Sequence, residues 1–235
     1  MDDELRTLKP MPLDGIRVVE FGTFHAGPGA SAILGDLGAE VIKIEEAEGD
    51  PMRNWKEVGG IRFTMADGEG FPFQFTNRNK RGIWLNIKEE KGREIFRRLI
   101  QSADVFLTNL RKSTKQSMGL DYAAVSAINP RIIHASVSGF GQEGHLSDQG
   151  AFDPMGQARS GMMFSTGSDR PRLVHLAVLD QDRLHCAEPG CPDRSLCPRA
   201  PRRGAGRAHL PLRHGPLDAV RRPHDCRVSF SELGA

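Results

Sequence analysis

Apolar and polar positions alternate along the first two thirds of the chain in blocks that read as strands separated by helices. "GIRVVEFG" predicts a strand over Ile16–Phe21. "GPGASAILGDLG" predicts a short helix with Pro28 in its first turn and Gly38 closing it, and "AEVIKIE" a second strand. Further on, "GIWLNI" reads as a strand. "KEEKGREIFRRLIQSA" reads as a helix with Ile95, Phe96, Leu99 and Ile100 on one face, and "DVFLTNL" and "RIIHASVSGFG" as two more strands. Strands joined through helices predict an α/β fold with a parallel, Rossmann-like sheet and a ligand at the carboxyl ends of the strands.

This pattern fails beyond "RPRLVHLAVLDQ". From Met1 to Gln181 there are 22 Lys plus Arg against 24 Asp plus Glu; from Asp182 to Ala235 there are 10 against 6. All eight Lys precede position 116, whereas Cys186, Cys191, Cys197, Cys226, seven Pro and no Ile fall in the last 54 residues. The expected organisation is a core over 1–181 and an aberrant Arg/Pro/Cys-rich tail over 182–235. Ordering such a tail costs roughly 1 to 2 kcal/mol of backbone entropy per residue with little apolar area to offset it, so no fixed contacts are expected beyond about Leu184.

Composition excludes several functions. No apolar run approaches membrane-spanning length, and "MDDELRTLKPMPLDG" lacks a basic region followed by an apolar one, so a cytoplasmic protein is expected. The arginines of the tail lack aromatic interleaving, which argues against a nucleic-acid partner. The Cys spacings C-x4-C and C-x5-C lack the tight knuckles of structural zinc, so no metal is expected. A dinucleotide fingerprint is also missing: Gly22, Gly27 and Gly29 do not make G-x-G-x-x-G, although Glu45 and Glu46 stand where a ribose-binding acid could lie.

Three blocks carry a resemblance: "PLDGIRVVEFGTFHAGPGASAILGDLGAEVIKIEEAEGDPMR", "FQFTNRNKRGIWLNIKEEKGREIFRRLIQSADVFLTNLR" and "MGLDYAAVSAINPRIIHASVSGFGQEG". In order and spacing they are similar to the family III CoA-transferases, a group that includes formyl-CoA transferase, carnitine CoA-transferase and α-methylacyl-CoA racemase. The resemblance runs from about Pro12 to Gln181. It implies the first half of a subunit whose relatives form interlocked homodimers, acyl-CoA and a carboxylic acid as substrates, and no permanently bound cofactor.

The resemblance also implies roles. Asp180 in "VLDQ" falls on the family's nucleophile, after the segment holding Gln157, Ala158, Ser160 and Gly161; taken alone it reads equally as a helix cap. His25 stands where formyl-CoA transferase has a glutamine near the reacting carbonyl, flanked by Phe24 and Ala26. Asn77, Arg78, Asn79 and Lys80 in "TNRNKR", and Asn109, Leu110 and Arg111 in "TNLR", are similar to CoA-contacting loops. Each base among them could also be a solvated surface charge. Glu46 and Ser117 occupy places that are commonly basic in the family. Phe152 replaces the racemase histidine, so transfer is favoured over racemisation, and Asp153 could orient the acyl group. A non-catalytic CoA-binding fragment and a racemase-like enzyme are the alternatives.

The tail also admits a reading-frame shift. Plausible codons for Cys186–Arg199, read one nucleotide later, give Ala-Leu-Ser-Gln-Ala-Val-Leu-Thr-Ala-Leu-Phe-Ala-Arg, a family-like helix. Those for Ala205–Val220 can give Gln-Ala-Gly-His-Ile-Ser-Leu-Tyr-Gly-Thr-Ala-Leu-Trp, the strand that follows it in the family.

Overall fold

The computed structural model describes residues 11–57, 62–166 and 170–174 and the backbone of 58, 61 and 208–210. The predicted strands and helices form in order: β1 (Arg17–Phe21), α1 (Ala26–Asp36) and β2 (Glu40–Glu45), then β3 (Glu57–Val58) and β4 (Ile61–Arg62), which make a small antiparallel ribbon. There follow α2 (Phe71–Asn77), β5 (Lys80–Trp84), α3 (Glu90–Ser102), β6 (Val105–Thr108), α4 (Lys112–Met118), α5 (Tyr122–Ile128), β7 (Ile133–Val137), α6 (Asp153–Ser160), α7 (Met162–Ser165) and β8 (Ala208–Leu210).

The main sheet has the order β5-β2-β1-β6-β7-β8, and every pairing in it is parallel. Strand β8 belongs to the tail and pairs with β7 through Ala135↔Ala208 and Val137↔Leu210. The expectation of no fixed contact beyond Leu184 is therefore corrected at this strand. It falls in the stretch whose shifted codons spell a strand, and its backbone can complete the β7 ladder whatever its side chains.

Alternate residues along each strand feed two cores, one per sheet face. Val18, Val41, Val105 and Leu107 pack with Ala30 and Leu34 of α1; Val19, Ile44 and Phe106 pack on the other face with Phe96 and Ile100 of α3 and Val125 of α5. The α3 face is as predicted except for Ile95, which is exposed. Gly92 brings α3 down onto the loop after β5, where a Cβ would collide with the Asn86 carbonyl. Strand β5 starts two residues before the predicted "GIWLNI"; Leu85 and Ile87, past its end, are buried.

Strand β1 lies between β2 and β6, and the chain builds outward from it in both directions. The topological switch point is therefore between β1 and β6, where open parallel sheets leave a crevice past the carboxyl ends of their strands. Among the described residues, no helix is long and apolar enough to cross a membrane.

Candidate active site

A cleft of about 340 Å³ opens at that switch point. Its walls come from the turn after β1 (Thr23 to Ala26), the loop after β6 (Asn109 to Arg111), the end of β7 (Val137 to Gly139) and the segment from Ser147 to Phe152. The fold thus brings Phe24, His25, Ala26, Asn109, Leu110, Arg111 and Phe152 into one cavity, although they come from three separate parts of the sequence.

The turn after β1 is held in an uncommon conformation. Phe24 has φ +62°, left-handed for a residue with a side chain, and its ring meets Trp55 and Phe152 edge-on at 5.8 and 5.5 Å between centroids. His25 sits at the N-cap position of α1 and stacks on Phe75 at 6.3 Å. Its Nε2 is buried with no hydrogen-bond partner among the described residues. Burial lowers the His25 pKa and Asp153 acts against that, so the imidazole is biased toward neutrality.

Helix α1 has no side-chain cap and no acidic residue in its first turn. Its first amides and the positive end of its dipole are therefore left for an acceptor in the cleft, which Ala26 lines.

Across the cleft, Arg111 lies so close to Gly150 that a Cβ there would come within 2.6 Å of Nη2. Arg111 is exposed and makes no ion pair within 4.0 Å among the described residues, and after the Ser113 N–H it helps to lower the pKa of Asp148. Asn109 is different. Its Oδ1 accepts from the Thr23 N–H at 3.0 Å and its Nδ2 donates to the Thr23 carbonyl at 2.7 Å.

Four of the expected CoA-contacting residues lie outside the cleft and have protein partners. The Arg78 guanidinium pairs with Asp36, Asn79 Nδ2 donates to Asp36 at 2.6 Å, and Asn77 Nδ2 donates to the Phe73 carbonyl at 2.9 Å. Lys80 Nζ is buried and donates to Glu20 at 2.7 Å, to the Pro28 carbonyl at 2.6 Å and to Asn77 at 3.1 Å. Burial, opposed by Glu20, lowers the Lys80 pKa to about 8.

Lys80 belongs to a charged cluster under α1 that the periodicity did not reveal. Lys43 Nζ donates to Glu20 at 2.9 Å, to Asp50 at 3.0 Å and to the Gly22 carbonyl at 3.0 Å, and Ser31 Oγ donates to Glu20 at 2.7 Å. A sign of it was present in the sequence. Glu20 and Lys43 sit near the ends of two neighbouring predicted strands with opposite charge, and in the fold they are direct register partners. Glu45, considered above for a ribose, instead holds Arg53 and the Asp50 amide, and Glu46 pairs with Lys88.

Asp153 begins α6, is buried, and receives a hydrogen bond from Gln157 Nε2. Gln157 also holds Val174 at both backbone positions: its Nε2 donates to the carbonyl at 2.7 Å and its Oε1 accepts from the N–H at 2.9 Å. The chain approaching Asp180 is thus docked on α6 six residues earlier. Asp180 itself lies outside the described residues. Among those residues no cluster of His, Cys, Asp and Glu could hold a metal ion.

A parallel α/β sheet with a ligand-sized cleft at its switch point defines a Rossmann-like binding half. The profile of CoA-transferase family III matches residues 13–183, and the chain belongs to that family. It is 39% identical over 175 residues to the succinate–glutarate CoA-transferase of Agrobacterium fabrum, covering 72% of this chain and 43% of the relative. It is also 39% identical over 163 residues to the formyl-CoA:oxalate CoA-transferase of Streptomyces avermitilis, covering 69% of this chain and 38% of the relative. A crystal structure of a CAIB/BAIF family protein from Brucella suis superposes with a TM-score of 0.67 at 36% identity, over 76% of this chain and 48% of that one. The chain spans less than half the length of these curated relatives.

Proposed function

We propose that this chain carries the nucleophile-bearing half of a CoA-transferase that moves CoA between an acyl-CoA and a carboxylic acid. The observation that carries the reading is the meeting on one cleft of an α1 N-terminus without a side-chain cap, of His25, whose Nε2 has no partner among the described residues, and of the exposed Arg111 guanidinium. A thioester needs the first two where its carbonyl oxygen gains charge. A CoA phosphate needs the third.

In this reading the Asp180 carboxylate attacks the thioester carbonyl. A C–O bond forms, the C–S bond breaks, and a mixed anhydride and CoA thiolate result. The thiolate then attacks the aspartyl carbonyl of the anhydride, giving an aspartyl-CoA thioester and releasing the first acid. The second acid takes CoA by the same two steps reversed. His25 donates toward the developing oxyanion, and the aromatic group Phe24, Trp55 and Phe152 shields the acyl group. Phe152 carries no transferable proton, which favours transfer over racemisation.

The test is incubation of the chain with succinyl-CoA and glutarate, the acid pair named for the Agrobacterium relative, with glutaryl-CoA followed by mass spectrometry. Exchange that disappears in Asp180→Asn, with a hydroxylamine-trapped adduct at Asp180 in the parent chain, supports the proposal. Turnover by the Asn variant refutes the nucleophile. CoA binding without any exchange makes the chain a non-catalytic CoA-binding fragment.

A further inference from the structure

Three successive residues at the turn after β1, which span two peptide units, are each gripped by a different side chain. Lys43 Nζ donates to the Gly22 carbonyl at 3.0 Å, Asn109 bonds both the N–H and the carbonyl of Thr23, and Asp50 Oδ1 accepts the Phe24 N–H at 3.0 Å. Asp50 is itself fixed. Its Oδ1 also accepts the Met52 N–H at 3.0 Å, its Oδ2 holds Lys43, and its own N–H donates to Glu45 at 2.8 Å.

The fit around Asn109 is close. A Cβ on Gly22 would lie 2.8 Å from Asn109 Oδ1, and one on Gly27 would lie 2.9 Å from its Cγ. Only glycines leave room for this amide between the turn and the first residues of α1.

The held conformation is one that the chain does not prefer. A left-handed φ at a phenylalanine costs about 1 to 3 kcal/mol and persists only when its surroundings enforce it. Four bonds to three consecutive residues enforce it here, and the next residue is His25. Released, Phe24 would relax to negative φ, and a changed φ alters the direction in which the chain enters His25.

We propose that Asn109 and Asp50 are positioning residues, which clamp the Thr23–Phe24 turn and thereby aim His25 at the cleft. Asn109 acts through the Thr23 backbone and not as a ligand contact. This rests on the CoA-ester reading for its purpose, but the geometry of the clamp can be tested without any ligand.

His134 supplies an internal control. It is buried on β7, its Nε2 is 2.9 Å from the Leu120 carbonyl, and its ring packs against Phe106 and Tyr122. Burial lowers its pKa as it does that of His25, so the two imidazoles report local and general loosening in the same units.

The experiment is a pH titration of the imidazole carbon resonances in the ligand-free 235-residue chain, in Asn109→Ala, and in Asn109→Ser, which adds no charge and keeps a short polar side chain. Asp50→Asn, which keeps an acceptor for Phe24, completes the set, and His25→Gln assigns the His25 signal. The expected result is a His25 titration in Asn109→Ala displaced upward by about half a pH unit or more, toward the ordinary imidazole range, with a smaller displacement in the conservative variants and His134 unchanged throughout. An unmoved His25 in Asn109→Ala overturns the proposal. So does a joint shift of His25 and His134, which would make the clamp a general stabiliser. If Asn109→Ala does not fold, the uncharged Asn109→Ser decides by the same criterion. Calorimetric titration of CoA into the same samples separates the readings: lost affinity in Asn109→Ala with His25 unmoved makes Asn109 a ligand contact, whereas no binding by the parent chain defeats the CoA-ester reading and leaves the imidazole result standing.

Discussion

Lys80→Met tests the charged cluster under α1. Methionine approximates the lysine stem, and Glu20 keeps Lys43 as a counter-ion at 2.9 Å and Ser31 as a donor at 2.7 Å. The folded pKa of Lys80 is about 8 against an ordinary 10.5. A lysine depressed in the folded state holds fewer protons there than in the unfolded chain. Its charged form therefore weakens the fold at all pH values below the folded pKa, and that penalty is relieved as pH rises from about 8 toward 10.5. At 1.36 kcal/mol per pH unit, the parent chain gains about 2 to 3 kcal/mol on the variant between pH 8 and 10, because methionine has no such term. Other groups that titrate in this range cancel in the difference. The assay is urea denaturation of both proteins at pH 7, 8, 9 and 10. Far-UV circular dichroism is the better probe because Trp55 and Trp84 are both exposed and report weakly on burial. A stability difference constant within about 0.5 kcal/mol over this range would mean that Lys80 titrates normally, and the reasoning would be wrong.

Other substitutions separate packing from function. Phe96→Ala, in the core under α3, is expected to cost about 3 to 5 kcal/mol in the same denaturation assay. Asp121→Ala removes the side chain that accepts the Ala124 N–H at 2.9 Å at the start of α5, and is expected to cost about 1 kcal/mol. Gly150→Ala pushes on the far end of Arg111, a flexible group, so it should change stability by less than about 0.5 kcal/mol while weakening CoA binding in calorimetry. Equal CoA affinity in Gly150→Ala would remove Arg111 from the proposed phosphate contact.

The parallel sheet was legible because its strands are apolar runs of near-uniform character, and the α3 face because Phe96 and Ile100 recur at helical spacing. The short helices α2, α4 and α5 were not read. Each has seven residues, too few for a periodic signal, and the Gly119 and Asp121 that separate α4 from α5 are local punctuation only. Within the site, Phe24, His25 and Arg111 were found through their neighbours in the chain and do line the cleft. The resemblance implies Arg78 and Lys80 at a ligand; in the fold Arg78 meets Asp36 and Lys80 meets Glu20, and a basic residue in a loop looks the same in sequence whether its partner is a phosphate or a carboxylate from a distant element. Glu20 reaches Lys43 through strand register, whereas Asp50 reaches it from the loop after β2. Asn109 lines the cleft and also bonds Thr23, a pairing that its residue type does not announce.

The two walls of the cleft differ in how much change they can absorb. On the α1 side, a Cβ on Gly22 or Gly27 would collide with Asn109, so any larger side chain there must displace the amide that holds Thr23. On the opposite side Phe152 is 60% exposed, so its ring can be exchanged without disturbing the core. Change is therefore channelled to one side. Under the proposed transfer reading the α1 wall serves as a fixed reference surface, and a mutational library at Phe152 would vary the group accepted in the cleft at little cost in stability.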